Sequence, residues 1–258
     1  MILFRYFILP GRCLRVDLMN NDDYKRKVMQ KIYHNYYTKV HDSEKDLKYT
    51  ATRIIYDRVM KDFSKKLQSK DKLLLDAGCG DGLFLEFAKK NKIKCKGCDS
   101  NDDLLKLCKA KGYDVKYANL TEKLPYADSS FDGVFCSNVL EHLREPEFVL
   151  YEFLRVTKKG GLVIVTVPKG GDKLFFEDWT HTTPFTKKTM KNILECLDVK
   201  SYRIYYRHFP VLVRFWGNPL VRLFNWFISR GPLASIFTFL FEKIVGVRRH
   251  DIVVEIRK

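Results

Sequence analysis

Residues 73–90 read LLLDAGCGDGLFLEFAKK, and this stretch decides the fold. The apolar run Leu73–Leu75 is typical of a buried strand, and apolar residues recur at helical spacing from Leu83 onward. Between the two lies a turn with three glycines, Gly78, Gly80 and Gly82. Glycine permits backbone conformations and a close ligand approach that a Cβ would prevent. The stretch therefore predicts a strand, a ligand-binding glycine loop and a helix, as in nucleotide-binding α/β proteins.

Details of the glycine loop indicate which ligand it would bind. A dinucleotide fingerprint has the spacing G-x-G-x-x-G, whereas Leu83 occupies the position of its third glycine. Asp76 at the strand end places a carboxylate where a phosphate would be repelled, but an ammonium and a sulfonium would be attracted. S-adenosylmethionine carries both cations. The alternative is a βα turn with a purely structural role.

Further segments follow in the order that such a fold requires. Residues 92–101 predict a second short strand that ends in Asp99, 23 residues after Asp76. An acidic residue at about this spacing binds ribose hydroxyls in nucleotide-binding βαβ units. Residues 113–143 then predict a third strand, a polar loop and a fourth strand at Phe131–Cys136.

This ordered set of motifs, over about Leu73–Pro168, resembles the class I S-adenosylmethionine-dependent methyltransferases. The resemblance is strongest to the small-molecule branch that includes the ubiquinone-biosynthesis O-methyltransferases. It implies an α/β fold: a Rossmann-like, doubly wound, seven-stranded mixed sheet with helices on both faces. Here a helical insert is expected before the last strand.

The resemblance also implies which residues bind the cofactor S-adenosylmethionine. Asp76, Gly78 and Gly80 match positions that contact its methionine end, and Asp99 matches the residue that holds the ribose. Asn119 matches a position near the adenine amine where family members usually have Asp, so we expect a retained but weaker contact. The remaining positions assigned to the cofactor are Cys79, Leu120 and Ser137.

Two histidines are candidates for catalysis, His142 after the fourth strand and His181 in a stretch that often lines the substrate pocket in the family. Either could act as general base, and a structural or substrate-positioning role fits each equally well. In the ubiquinone-pathway branch, a carboxylate three residues before a Glu-His pair can join it in binding a divalent ion. Asn138 occupies that earlier position here, and we predict no metal site.

The chain divides into three parts by sequence pattern. Residues 1–70 are predicted to be an N-terminal helical extension, and residues 71–208 with 250–258 the cofactor-binding domain. Residues 209–249 are predicted to be an apolar, basic helical insert. Three explanations of the insert stay open: association with a membrane surface, burial as a lid or homodimer interface, or contact with a protein partner.

The amino-acid composition limits the classes of function and the cellular locations to be considered. The 258 residues include seven cysteines, an odd number without paired spacing, which favours a reducing, cytoplasmic location, with membrane association through 209–249 left open. A net charge of +16 would attract nucleic acid, but no appended RNA-binding motif accompanies it. The function expected is therefore methylation of a small-molecule or lipid-like acceptor at oxygen, with nitrogen as the alternative acceptor atom. The alternatives are an RNA methyltransferase and a catalytically silent protein that only binds S-adenosylmethionine.

Overall fold

A computed structural model of the chain describes residues 7–9, 12–14, 28, 31–32, 47–67, 71–171, 173–208 and 250–258. Contacts divide the chain into two units, Met1–Lys45 and Asp46–Lys258. The described part of the first unit includes an antiparallel pair of short strands, β1 (Phe7–Leu9) and β2 (Arg12–Leu14). The insert predicted at 209–249 lies outside the described residues.

The second unit is built on a seven-stranded mixed sheet. Its strands are β3 (Leu73–Ala77), β4 (Lys94–Asp99), β5 (Val115–Tyr117), β6 (Phe131–Ser137), β7 (Thr157–Pro168), β8 (Tyr202–His208) and β9 (His250–Arg257). Their order is β5-β4-β3-β6-β7-β9-β8, and β9 runs antiparallel to both of its neighbours. The predicted seven-stranded mixed sheet is thus confirmed.

Six helices accompany these strands in the described residues of this unit. They are α1 (Leu47–Lys66), α2 (Leu83–Lys90), α3 (Asp102–Ala110), α4 (Pro146–Val156), α5 (Lys173–Glu177) and α6 (Lys187–Cys196). Capping residues explain some of their starts: the Asn101 side chain accepts hydrogen bonds from the first turn of α3, and Thr186 forms a capping box with Thr189 at α6. None of the helices among the described residues combines the length and apolar character needed to cross a bilayer.

Both faces of the sheet are buried because apolar residues point alternately to opposite sides of each strand. Leu74, Phe135 and Val253 face one cluster, which also contains residues of α1 and α2. Their strand neighbours Leu75, Val134 and Val254 face the other cluster, together with residues of α4 and α6. The helices therefore cover both faces, as predicted.

The carboxyl ends of the parallel strands define the functional edge of the sheet. β3, β4, β6 and β7 run parallel, so the loops after Ala77, Asp99, Ser137 and Pro168 meet at this edge. The chain forms β3, β4 and β5 on one side of the sheet and then returns to form β6 on the other side of β3. The strand order therefore reverses between β3 and β6, and ligands of open α/β sheets bind at such a switch point.

Candidate functional site

The glycine loop after β3 is shaped by three glycines with positive φ, Gly78, Gly80 and Gly82. Gly78 has φ +78° and Gly80 has φ +53°. A Cβ added to Gly78 would lie 2.5 Å from Val139 Cγ2, so this glycine is needed for close packing. A Cβ added to Gly80 would meet no atom of the described residues within 4 Å. Gly80 therefore borders open space, where a ligand could approach the backbone.

Asp76 is a buried carboxyl group with one unpaired oxygen among the described residues. The residue is only 3% exposed, and its Oδ2 has no hydrogen-bond partner among the described residues. Burial, and then repulsion from Asp99, raises the pKa of Asp76 well above its ordinary value. A cationic ligand group would relieve both penalties, so the residue fits the ammonium of S-adenosylmethionine.

Asp99 joins the end of β4 to the glycine loop. Its Oδ2 accepts a hydrogen bond from Gly80 N at 3.0 Å, and its Oδ1 accepts one from Asn101 N at 2.9 Å. Burial raises the pKa of Asp99, and these backbone hydrogen bonds oppose the rise. Each carboxylate oxygen keeps acceptor capacity, so the side chain can still accept hydrogen bonds from ribose hydroxyls.

Asn119 and Leu120 follow β5 at the same edge. The Asn119 Oδ1 accepts from Thr121 N at 3.1 Å and from Thr121 Oγ1 at 2.9 Å, and its Nδ2 donates to Glu122. Its side-chain oxygen is therefore already engaged in the local turn. Leu120 is buried in the core. The contact of Asn119 with the adenine and the assignment of Leu120 to the cofactor site stay predictions.

Cys79 and Ser137 occupy different surroundings. Cys79 is buried in the small core cluster beneath the glycine loop. Ser137, the last residue of β6, shares a 2.7 Å hydrogen bond with Thr166 of the adjacent strand. Ser137 therefore lies at the switch point, beside the loop, whereas the Cys79 side chain is mainly a packing group.

Tyr56 of α1 belongs to this region, although the sequence analysis did not identify it. Its ring packs edge-on against Phe84 and Phe135, with centroid distances of 5.5 and 5.3 Å. Burial, and then the charge of Asp76, raises the pKa of its hydroxyl. One feature of the sequence does indicate that Tyr56 faces the core: it lies seven residues before Phe63, on the same helical face.

The turn after β6 connects the glycine loop to the two histidines. Asn138 has φ +54° and donates its backbone N–H to Thr166 O at 2.9 Å. Asn tolerates this left-handed conformation better than most residues, which gives Asn138 a structural role. Val139 then packs on Gly78, and the short 3-10 helix Leu140–His142 follows.

His142 is held by a chain of hydrogen bonds that fixes its tautomer. Its Nδ1 lies 2.9 Å from Thr180 Oγ1, and that hydroxyl donates its single proton to Asp178 Oδ1 at 2.5 Å. Because the Thr180 oxygen can then only accept, His142 Nδ1 must donate. Burial, and then the neighbouring His181, lowers the pKa of His142. The His142 ring is therefore neutral, with a free lone pair at Nε2.

His181 is oriented in the same way by a different partner. Its Nδ1 lies 2.8 Å from the backbone oxygen of Phe175, which can only accept, so Nδ1 carries a proton. The other ring nitrogen, Nε2, lies 3.6 Å from Asp178 Oδ2. The two imidazole rings lie 4.9 Å apart between centroids. The structure thus brings the two predicted histidines together.

Glu141 completes what we call the Glu–His–His cluster: Glu141, His142 and His181. Glu141 is only 1% exposed, and its Oε2 has no hydrogen-bond partner among the described residues. Burial raises the pKa of Glu141 well above its ordinary value. One potential ligand atom from each member lies within 4.8 Å of the others. Glu141 is not among the site residues predicted from the sequence.

Comparisons with known proteins agree with this architecture. Residues 75–165 match the family model described as a methyltransferase domain. An uncharacterised protein from Methanocaldococcus jannaschii is 33% identical over 158 residues, covering 60% of this chain and 66% of that protein. A ubiquinone biosynthesis O-methyltransferase from Rhizobium etli is 30% identical over 129 residues, covering 46% of this chain and 52% of that enzyme.

A solved structure extends the likeness over most of the fold. The crystal structure of an S-adenosylmethionine-dependent methyltransferase from Archaeoglobus fulgidus matches with a TM-score of 0.62 and 23% identity. The match covers 86% of this chain and 100% of that one, whereas the chain spans about half to two thirds of the two curated relatives. The resemblance inferred from sequence is confirmed: the chain carries a methyltransferase domain, and its fold is that of the S-adenosylmethionine-dependent methyltransferases.

Proposed function

We propose that the chain transfers a methyl group from S-adenosylmethionine to a hydroxyl oxygen of a small-molecule or lipid-like acceptor. The observation that carries the proposal is the contact between the glycine loop and the turn bearing His142. Through Val139, this turn packs directly on Gly78. The imidazole groups are therefore tied to the loop that would hold the methyl donor.

The cofactor would be bound by three groups with complementary chemistry. Asp76 offers a buried carboxylate to the ammonium, and Asp99 offers acceptor oxygens to the ribose hydroxyls. Gly80 leaves room for the ligand beside its backbone. When bound, S-adenosylmethionine supplies an electrophilic methyl carbon on a sulfonium. The role of the protein is then to place a nucleophile in line with that carbon and to exclude competing water.

The acceptor hydroxyl must lose its proton as its oxygen attacks. The Nε2 lone pair of His142 or His181 can take this proton, because the Nδ1 of each ring already donates elsewhere. A positioned general base of this kind typically contributes about 10²–10⁴-fold to a rate. A positioning role for one of the two rings is compatible with the same geometry.

Incubation with methyl-labelled S-adenosylmethionine and fractionated metabolite, lipid and RNA pools tests the proposal. We expect label in a metabolite or lipid fraction. Label confined to RNA would overturn the proposed acceptor class and favour an RNA methyltransferase, which the net charge of +16 makes the runner-up. Cofactor binding without label in any fraction would indicate a catalytically silent protein.

A lipid-like acceptor is supported by the composition of 209–249 and by where this segment joins the sheet. The segment is rich in aromatic residues and arginine. His208 pairs with His250 and Asp251 with Pro168, so the segment leaves and re-enters the sheet at the functional edge. Aromatic and basic residues together favour anionic membrane surfaces.

Vesicle co-sedimentation tests this membrane hypothesis. Binding should rise with anionic lipid content and fall with added salt, because each surface cation contributes about 1 kcal/mol and is screened. Arg222→Glu and Trp226→Ala should each reduce it. If the protein ignores vesicles and Trp226→Ala instead destabilises it by about 3–5 kcal/mol, as truncation of a buried aromatic does, the segment belongs to a core or lid.

A further inference from the structure

We propose that the Glu–His–His cluster is a binding site for a divalent transition-metal ion of the Zn²⁺ type. The ligands would be Oε2 of Glu141 and the Nε2 atoms of His142 and His181. The claim that the ion takes part in catalysis rests on the proposed function. The claim that the cluster binds an ion rests on the geometry alone.

The first argument is the state of the two imidazoles. A histidine that binds a metal usually donates its other N–H to a carbonyl, a carboxylate or another fixed acceptor, which orients the ring. His142 donates to Thr180, whose hydroxyl is in turn held by Asp178, and His181 donates to the Phe175 carbonyl. Both rings are thus held with Nε2 as the only available ligand atom.

The second argument is the buried carboxyl of Glu141. A buried carboxylate is costly unless a cation or several donors compensate it. Within the described part of the chain, His142 is the only group within 4.0 Å of the Glu141 carboxylate that can carry a positive charge. Its Nε2 lies 4.0 Å from Glu141 Oε1. Oε2 has no partner at all there. An ion between the three side chains would supply the missing charge.

The two segments that carry the ligands are fixed to each other by the backbone. Thr182 N and Thr183 N donate to the backbone oxygen of Glu141 at 2.8 and 3.0 Å. These bonds hold the residues after β7 against the short helix after β6. The ligand atoms lie within 4.8 Å of one another, so small side-chain rotations would bring them to about 2.0–2.2 Å from a common ion.

The donor set indicates the class of ion. Two imidazoles and one carboxylate suit Zn²⁺ or Fe²⁺, whereas Mg²⁺ prefers oxygen ligands and retained water. This set does not use position 138, where Asn138 replaces the family's carboxylate; His181 provides the third ligand instead. Three protein ligands leave a coordination position for the oxygen of the acceptor. The ion would then lower the pKa of that hydroxyl, whose proton would pass to solvent, and the two imidazoles would act as ligands of the ion instead of as the base.

The experiment is a Zn²⁺ titration of chelator-treated full-length protein in competition with a chromophoric chelator. We expect one Zn²⁺ per chain, with affinity reduced at least about 100-fold in Glu141→Gln and in His181→Ala, beyond the typical effect of losing an outer-shell partner. Glu195→Gln, which alters an exposed carboxylate on α6, is the matched control and should bind like the parent. Calorimetry with S-adenosylmethionine on the same samples shows that each variant remains folded.

The outcomes separate the two proposals. Absence of stoichiometric Zn²⁺ binding, or equal binding in parent, Glu141→Gln and His181→Ala, would overturn the metal site whatever the activity. Zn²⁺ binding that needs the three ligands, without methylation of any acceptor, would leave the site standing and remove the proposed function. Full methylation by the metal-free protein would overturn the catalytic role of the ion.

Discussion

The functional edge has two halves that are built differently. In the cofactor half, formed by the loops after β3, β4 and β5, carboxylates and glycines are connected through backbone groups, as in the bond from Gly80 N to Asp99. In the proposed acceptor half, formed by residues 138–142 and 178–183, side chains orient one another, as Thr180 orients His142. Backbone geometry should therefore control cofactor binding, and side-chain chemistry should control turnover. The two functions should be separable by mutation.

The largest effect is expected from Gly80→Val. The valine would be strained at φ +53° and would occupy the open space beside the loop, so S-adenosylmethionine binding should be lost in calorimetry. The matched control is Gly160→Val, at a glycine with φ +77° that also faces open space but lies on β7, away from the loop. Gly160→Val should have similar backbone strain but should bind S-adenosylmethionine with the affinity of the parent protein. Retained binding in Gly80→Val would remove this loop from the cofactor site.

The next effect concerns the acceptor half. His142→Ala or His181→Ala should lower the methylation rate by about 10²–10⁴-fold, because each removes an Nε2 lone pair from the reacting region. Cofactor affinity should stay nearly unchanged, since neither ring contacts the glycine loop. Single-turnover rates and calorimetry on the same samples check both expectations. A variant with the parent's rate would exclude that histidine from the mechanism.

A smaller effect is expected from Asp99→Ala. Loss of charge-assisted hydrogen bonds to the ribose should weaken S-adenosylmethionine binding by about 1–3 kcal/mol. The change also removes the acceptor of Gly80 N, so part of the loss reflects a loosened loop. Asp128→Ala, at an exposed carboxylate paired with Arg155, is a control that should leave affinity unchanged. An unaltered dissociation constant in Asp99→Ala would disprove the ribose assignment.

The smallest effect is one of stability, and its sign follows from the raised pKa of Asp76. A raised pKa in the folded state means that the carboxyl's contribution is fully present below its unfolded pKa and is lost as pH rises through the folded pKa. Asp76→Asn should therefore raise the Tm of the cofactor-free protein at neutral pH, by about 2–4 °C for each kcal/mol gained. The gain should shrink toward acidic pH.

Thermal melts at several pH values would check this prediction for Asp76→Asn. The same variant should bind S-adenosylmethionine less well, because the carboxylate that attracts the ammonium is gone. A Tm difference that does not grow as pH rises would show that Asp76 carries no buried-charge penalty.

The two halves also differ in how far the sequence could predict them. Asp76 lies within β3, Gly80 in the loop that follows it and Asp99 at the end of β4, so local spacing along the chain was enough to predict their positions. The predicted fourth strand, Phe131–Cys136, differs from the observed β6 by one residue. The positions of the other residues in the cofactor half follow from the parallel pairing of neighbouring strands.

The acceptor half depends on contacts distant in sequence. Glu141 accepts from Thr182 across 41 residues, and no local pattern predicts that pairing. Tyr56 enters the site only because α1 packs on β6 through Phe135. The tautomers of the two histidines depend on Thr180 and the Phe175 carbonyl, which only the folded structure brings to them.

A calorimetric titration of the parent protein with S-adenosylmethionine, S-adenosylhomocysteine and NAD tests the central claim most directly. The claim is that the loop after β3 is built for a cationic nucleoside cofactor. We predict binding of both sulfur compounds at one site per chain and none of NAD, because Asp76 repels a pyrophosphate and Leu83 replaces the third glycine of a dinucleotide loop. Binding of NAD, or absence of S-adenosylmethionine binding by folded protein, would contradict it.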